Sequence, residues 1–193
     1  MTGEVAVVIL AGGEGKRIGG GKPLKTFGGE RLIDRAISLA RQWSDRVAIA
    51  VRNPSQVSAV AVDLIPDEDV PGPLGGLISG TKFATDLQKE FVLTIPADMP
   101  FLPRDLLDRL RHAISGKACA LAESGGQVHP VCGLWRASTT AQAQSYAATG
   151  RRSLKGLASL IGFVAVEWQA EPADPFFNIN TGEDLAEAAG RRT

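Results

Sequence analysis

The stretch Val5-Ala6-Val7-Val8-Ile9-Leu10-Ala11-Gly12-Gly13-Glu14-Gly15-Lys16-Arg17-Ile18-Gly19-Gly20-Gly21-Lys22-Pro23-Leu24 decides how the rest of the chain is read. Its apolar first half, rich in β-branched residues, has the pattern of a strand buried on both faces of a parallel sheet. That strand discharges into six glycines, one arginine and two lysines between positions 12 and 22. Glycine reaches positive φ and lets the backbone approach a ligand, so successive N–H groups turn toward phosphate oxygens while the cations neutralise charge. Ordinary strand-to-helix loops run about two to six residues. This one is longer, and it reads as a phosphate-handling loop in preference to a basic surface turn.

Two common phosphate loops are excluded. A dinucleotide fingerprint starting at Gly13 and Gly15 needs a third glycine where Ile18 stands, and the second strand ends in Val51-Arg52 where an acid would hold a ribose. A P-loop needs glycine five residues before Gly21 and Ser or Thr after Lys22, but Lys16 and Pro23 occupy those positions. Nicotinamide, flavin and P-loop chemistry are therefore not expected.

Length and composition set outer bounds. The 193 residues suit one compact domain, 1–193, with a full core. Lys and Arg number 21 and Asp and Glu 21, so no basic face is implied and nucleic acid is a poor partner. The two cysteines, Cys119 and Cys132, make neither a disulfide framework nor a four-ligand metal site, and free thiols fit a reducing cytoplasm. The first apolar run, about seven residues after Glu4, is too short for a signal segment or a membrane span.

Along the chain, strand and helix patterns alternate. Leu32, Ile33, Ala36, Ile37 and Ala40 recur at helical spacing to about Trp43. Arg46 to Val51 is a second strand, stopped by Asn53-Pro54; a short helical stretch with Val57 and Val60 leads to a third, Val62 to Ile65. Pro66 to Gly76 reads as a stiff loop, with a helix beginning at about Leu77. Phe91 to Ile95 is a fourth strand, followed by a helix from Pro103 to Ala113 and a fifth strand from Lys117 to Leu121. Glu123 to Gln127 is a hairpin turn into Val128–Trp135, which marks an antiparallel addition. Helices over 138–148 and from Ser153 to Ile161, a strand from Phe163 to Trp168, and a capped helix after Thr181 close the chain. Such alternation predicts a right-handed parallel sheet with helices on both faces, whose ligands sit over the carboxyl ends of the strands.

Those strand ends carry the candidate chemistry. Asp98, between Pro96 and Pro100, is a lone carboxylate at a strand end, the position from which Mg²⁺ is presented to a triphosphate. Asp67-Glu68-Asp69 follows the third strand, and Glu68 and Asp69 read as a solvated turn. Arg151-Arg152 at a helix start suits either an acceptor phosphate or solvated surface charge.

Leu10-Ala11-Gly12-Gly13-Glu14-Gly15-Lys16-Arg17, a short gap, and Lys22-Pro23-Leu24 resemble the signature of nucleotidyltransferases that join an NTP to a phosphorylated acceptor. Four further pieces, in order and spanning nearly the whole chain, resemble the molybdenum cofactor guanylyltransferases. They are Pro71-Gly72-Pro73-Leu74-Gly75-Gly76 after an acid, Pro96-Ala97-Asp98-Met99-Pro100, His129-Pro130 before an apolar strand, and Asn178-Ile179-Asn180-Thr181-Gly182-Glu183-Asp184-Leu185.

The resemblance implies a Rossmann-like three-layer α/β/α fold of the nucleotide-diphospho-sugar transferase type, with a mostly parallel sheet and an added antiparallel edge. It implies Mg²⁺-dependent transfer of GMP from GTP to a molybdopterin-type cofactor, with molybdoenzyme-delivery proteins as further partners. Arg17, Lys22 and Asp98 would be catalytic, and Asp98 the metal ligand. Leu10, Ala11, Gly12, Gly13, Lys22, Asp67 and Asp98 would hold GTP, with Asp67 facing the guanine N–H groups. His129, Asn178 and Asn180 would hold the acceptor, the two asparagines pointing to one side of a short strand. Two positions depart from the family pattern: Ala97 replaces a cysteine, and Gly21 precedes Lys22 where an aspartate is usual. A cytidylyl- or other nucleotidyltransferase on a pterin or sugar phosphate, and a non-catalytic nucleotide- or cofactor-binding relative, remain as alternatives.

Overall fold

The computed structural model describes residues 4–11 and 22–190. The expected first strand, β1 (Val5–Leu10), is buried along all but its last residue. After a single 3₁₀ turn at Lys22–Leu24, the short strands β2 (Thr26–Phe27) and β3 (Glu30–Arg31) form an antiparallel hairpin leading into helix α1 (Leu32–Trp43). Strands β4 (Val47–Val51) and β5 (Asp63–Pro66), helix α2 (Pro73–Asp86) and strand β6 (Phe91–Pro96) follow. Helix α3 (Leu106–Ala113) precedes the hairpin of β7 (Cys119–Ser124) and β8 (Gln127–Arg136). Helices α4 (Thr140–Ala148) and α5 (Leu154–Ile161), strand β9 (Phe163–Trp168) and helix α6 (Gly182–Gly190) complete the described chain.

One seven-stranded sheet runs in the order β5-β4-β1-β6-β8-β7-β9. β1 pairs in parallel with β4 on one side and with β6 on the other. β8 runs antiparallel to both its neighbours, β6 and β7, and β9 pairs in parallel with β7. The antiparallel addition therefore lies beyond β6 as expected, with its reversed strand third from the edge. Alternation along β1 divides the core: Val5, Val7 and Ile9 pack with Ile33, Ile37 and Leu106 from α1 and α3. Ala6 and Val8 pack with Leu77 and Ile78 of α2, in a cluster that also holds Tyr146 and Leu157 from α4 and α5. The result is three layers, helices on both faces of the sheet.

Two local departures have clear causes. The proline-glycine stretch is not all loop, because α2 starts at Pro73, with Gly72 as N-cap at φ 84°. Proline is pre-organised for the first helical position, and Gly72 takes a backbone conformation that a side chain would strain. The glycines inside α2 are tolerated because the helix lies tight against the sheet. A Cβ at Gly80 would come within 3.3 Å of Val8 Cγ2, and one at Gly76 within 2.7 Å of Leu10 Cδ2. Second, no strand forms at 178–180; the segment is irregular between β9 and α6.

The β7–β8 turn is two residues, Gly125 and Gly126, both at positive φ, which matches the right-handed twist of the two strands. Further along, the pairing jumps from Leu121↔Gly133 to Ala122↔His129, so Pro130, Val131 and Cys132 face no residue of β7. Proline cannot donate to a ladder, and an irregularity of this kind re-aims side chains. Among the described residues, no helix is long and apolar enough to cross a membrane.

Leu77 is fully buried between α2 and the sheet, whereas Leu160 on α5 is 64% exposed. Leu77→Ala is expected to cost about 2–5 kcal/mol through lost burial and a residual cavity. Leu160→Ala is expected to stay within about 0.5 kcal/mol. Denaturant midpoints at unchanged m-value check both.

Candidate active site

Parallel pairing continues one residue past the strand ends and brings three chain segments to one rim. Ala11 N–H donates to Ala50 O at 3.1 Å, Asp67 N–H to Val51 O at 2.8 Å, and Ala97 N–H to Leu10 O at 3.4 Å. A cavity of about 510 Å³ opens there, with Leu10 and Ala50 at the strand ends and the start of α2 along one wall. That volume is within the usual range for small-molecule sites. Asp67, Asp98, Arg52, Val131 and Asn178 also line it. Val131 comes from the stretch of β8 that lacks a partner on β7.

Asp67 is the most constrained of these side chains. It is 3% exposed, its Oδ1 has no hydrogen-bond partner among the described residues, and its Oδ2 lies 3.9 Å from Arg52 Nε. Burial is the main cause that pushes its pKa up, to about 6; the Arg52 guanidinium pulls the other way and the Glu68 carboxylate adds to the rise. The first turn of α2 closes on this carboxylate. A Cβ at Gly75 would lie 3.2 Å from Oδ1, and one at Gly76 would lie 3.1 Å from it. A buried acceptor left without a donor costs about 1–3 kcal/mol. A ligand bringing N–H groups would recover that cost.

Asp98 stands two residues past the end of β6, on the same cavity. Its carbonyl accepts a hydrogen bond from Ile179 N–H at 3.0 Å, which fastens the irregular 174–180 segment to the rim next to Asn178. No group of three or more His, Cys, Asp or Glu gathers among the described residues to hold a metal ion. A single carboxylate fits an ion that takes most of its remaining ligands from phosphate oxygens and water, as Mg²⁺ does.

The other sequence candidates divide. Asn178 reaches the cavity, whereas Asn180 is exposed and outside its lining, its N–H donating to Asp184 Oδ2 at 2.6 Å. His129 is 8% exposed and away from the cavity lining; its ring stacks on Phe176 at 4.8 Å between centroids, and its Nε2 bonds Ser124 Oγ at 2.8 Å. Gly12, Gly13 and Arg17 lie outside the described residues, as does the side chain of Lys22. Arg151 lies over the Tyr146 ring, and Arg152 donates to Ala147 O at 2.9 Å, so both belong to the α4–α5 connection. A second cavity beside them, about 550 Å³, is lined by Tyr146, Arg151 and Leu160 and holds no carboxylate. The acidic chemistry is at the strand-end cavity. Arg52 and Val131 were not among the sequence candidates. Applying the strand-end rule to β4 as well as to its neighbours would have found Arg52.

The MobA-like NTP transferase domain model matches residues 7–163 of the chain. A molybdenum cofactor guanylyltransferase of Cereibacter sphaeroides is 37% identical over 183 residues, covering 94% of this chain and 93% of its own. One from Nitrobacter hamburgensis is 36% identical, covering 94% and 91%. Among solved structures, molybdopterin-guanine dinucleotide biosynthesis protein A of Archaeoglobus fulgidus superposes with a TM-score of 0.79 at 20% identity, covering 96% of this chain and 97% of its own. The 4-diphosphocytidyl-2C-methyl-D-erythritol synthase of Anaerococcus prevotii does so at 0.76 and 14% identity, covering 98% and 96%. These two structures share the fold.

The raised pKa of Asp67 makes stability depend on pH. A carboxyl whose folded value exceeds its unfolded one stabilises fully below the unfolded value and loses that contribution as pH rises through the folded one. Relative to Asp67→Asn, the parent is expected to lose about 2 kcal/mol between pH 4 and 6 and to change little above. Unfolding midpoints of the two proteins across that range check the slope.

Proposed function

Because the chain belongs to the MobA-like NTP transferase family, we propose that it is a molybdenum cofactor guanylyltransferase. It transfers GMP from GTP to the phosphate of molybdenum-molybdopterin, releasing pyrophosphate and forming the guanine dinucleotide cofactor. The observation that carries the choice of base is the buried Asp67 carboxylate at the strand-end cavity, one oxygen of which has no hydrogen-bond partner among the described residues. Guanine presents a ring N–H and an amino group side by side, and a carboxylate accepts from both. Cytosine offers one amino donor beside acceptor atoms, which would leave the carboxylate half-satisfied and repelled. This favours guanylyl over cytidylyl transfer.

In the reaction an oxygen of the acceptor phosphate attacks the α-phosphorus of GTP in line. The new P–O bond forms as the bond to the bridging oxygen breaks, and that electron pair departs with pyrophosphate. The attacking phosphate is already an anion, so the protein's task is positioning and charge neutralisation, without a general base. Asp67 fixes the guanine; the backbone at Leu10 and Ala11 borders the base. Gly12, Gly13, Arg17 and Lys22 are assigned to the triphosphate on the sequence signature. Asp98 would hold Mg²⁺ together with phosphate oxygens, where the ion would offset the charge of the triphosphate. Asn178, on the same cavity, contacts the acceptor. The two buried free thiols, Cys119 and Cys132, suit a cytoplasmic setting.

Pyrophosphate release from each of the four NTPs, with Mg²⁺ and molybdenum-molybdopterin present, tests the reading. GTP is expected to be used, and Asp67→Ala to cut the preference for GTP by roughly 10–100-fold, the worth of a bidentate base contact. Asp98→Ala is expected to lower turnover on the order of 10³-fold. Equal use of CTP and GTP by the parent, or parental turnover in Asp98→Ala, would overturn it.

A further inference from the structure

Three side chains that do not line the cavity form one connected group, two on the β7–β8 hairpin and one after β9. Ser124 is 2% exposed and its hydroxyl sits between two partners: it donates to Asp174 Oδ1 at 2.9 Å and bonds His129 Nε2 at 2.8 Å. Because the hydroxyl proton goes to the carboxylate, His129 donates from Nε2. Asp174 Oδ1 also accepts from Phe176 N–H at 2.9 Å. The Phe176 ring stacks on His129 at an interplanar angle of 14° and meets Trp168 edge-on at 5.4 Å between centroids. Two residues later comes Asn178, lining the cavity, and then Ile179, which is 1% exposed and donates to Asp98 O. Beyond it, Asp184 Oδ2 accepts from Thr181 N–H at 2.8 Å as well as from Asn180 N–H.

The 174–180 segment is thus an irregular strap with a polar anchor at each end and the reactive rim in the middle. An irregular segment has no ladder of its own, so its geometry is set by such anchors. We infer that Ser124, His129 and Asp174 are positioning residues that hold Asn178 in register for transfer. His129 then acts through the strap and does not touch the acceptor. The inference rests on the guanylyl transfer proposed above.

A double-mutant cycle with Asn178 separates this role from general support of the fold. Ser124→Ala is expected to lower kcat about tenfold, the scale of a sub-ångström misplacement, with the dissociation constant for GTP unchanged within about twofold. In an Asn178→Ala background the same change is expected to cost less than about twofold, because the residue through which it acts is gone. Ser124→Thr, which keeps the hydroxyl, is expected to restore most of the loss. Amide exchange at Ile179 is expected to accelerate in Ser124→Ala while Val92 and Leu93 of β6 stay protected. Losses that multiply in the double variant, or unchanged exchange at Ile179, would overturn the network. Absence of pyrophosphate release from GTP by the parent would instead overturn the transfer reading, and the exchange measurement would still decide the network.

Discussion

The hydrogen-bonded ladders that β1 makes with β4 and β6 run in one direction, so the carboxyl ends of neighbouring strands reach the same edge of the sheet together. The strand-end residues of the cavity depend on that coincidence. Asp67 follows β5, Arg52 follows β4, Leu10 ends β1 and Asp98 follows β6, and each ladder extends one hydrogen bond past its strand before the chain turns away. An antiparallel order would have sent alternate strand ends to the opposite edge.

Placement on one rim comes with an electrostatic cost. Asp67 is taken out of water with one oxygen unpartnered among the described residues, and its proton affinity rises accordingly. The described surroundings do not relieve this. Gly75 and Gly76 bring α2 within a Cβ's width of the carboxylate, and Arg52 stands at 3.9 Å, too far for a close ion pair. A site that keeps a buried acceptor unsatisfied is poised for a ligand whose donors match it, since binding then removes a penalty the free protein carries. The glycines of α2 serve twice over: Gly76 and Gly80 admit Leu10 and Val8 of β1, and Gly75 and Gly76 lie against the Asp67 carboxylate.

The opposite wall is built differently. Beyond β6 the sheet takes in a reversed strand, β8, whose irregular stretch turns Val131 toward the cavity, and the strap from 174 to 180 has no ladder at all. Its order comes from side chains: a shared serine hydroxyl, a stacked imidazole, and a carboxylate at either end. One wall of the cavity is therefore set by main-chain pairing and the other by side-chain anchoring.

The chain's alternating apolar periodicity, read without coordinates, was enough for the layered fold, since Val5 to Leu10 can be stable only between two parallel neighbours and two layers of helix. The strand-end rule then located Asp98 and the loop that holds Asp67, because their positions follow from where the apolar runs stop; the family resemblance singled out Asp67 within that loop. The start of α2 was misread: proline and glycine mark turns locally, and only contact with β1 makes a glycine-rich first turn worth forming. Asn178 and Asn180 looked equivalent by spacing, yet without a strand to enforce alternation Asp184 draws the backbone at Asn180 aside and Asn178 alone of the pair lines the cavity. His129 carried a recognisable motif but no information about Ser124, five residues away, or Asp174, forty-five away in sequence. Periodicity and breaker residues act over one element and are written in the chain itself; which polar groups meet across the sheet is decided by distances that exist only once it has closed.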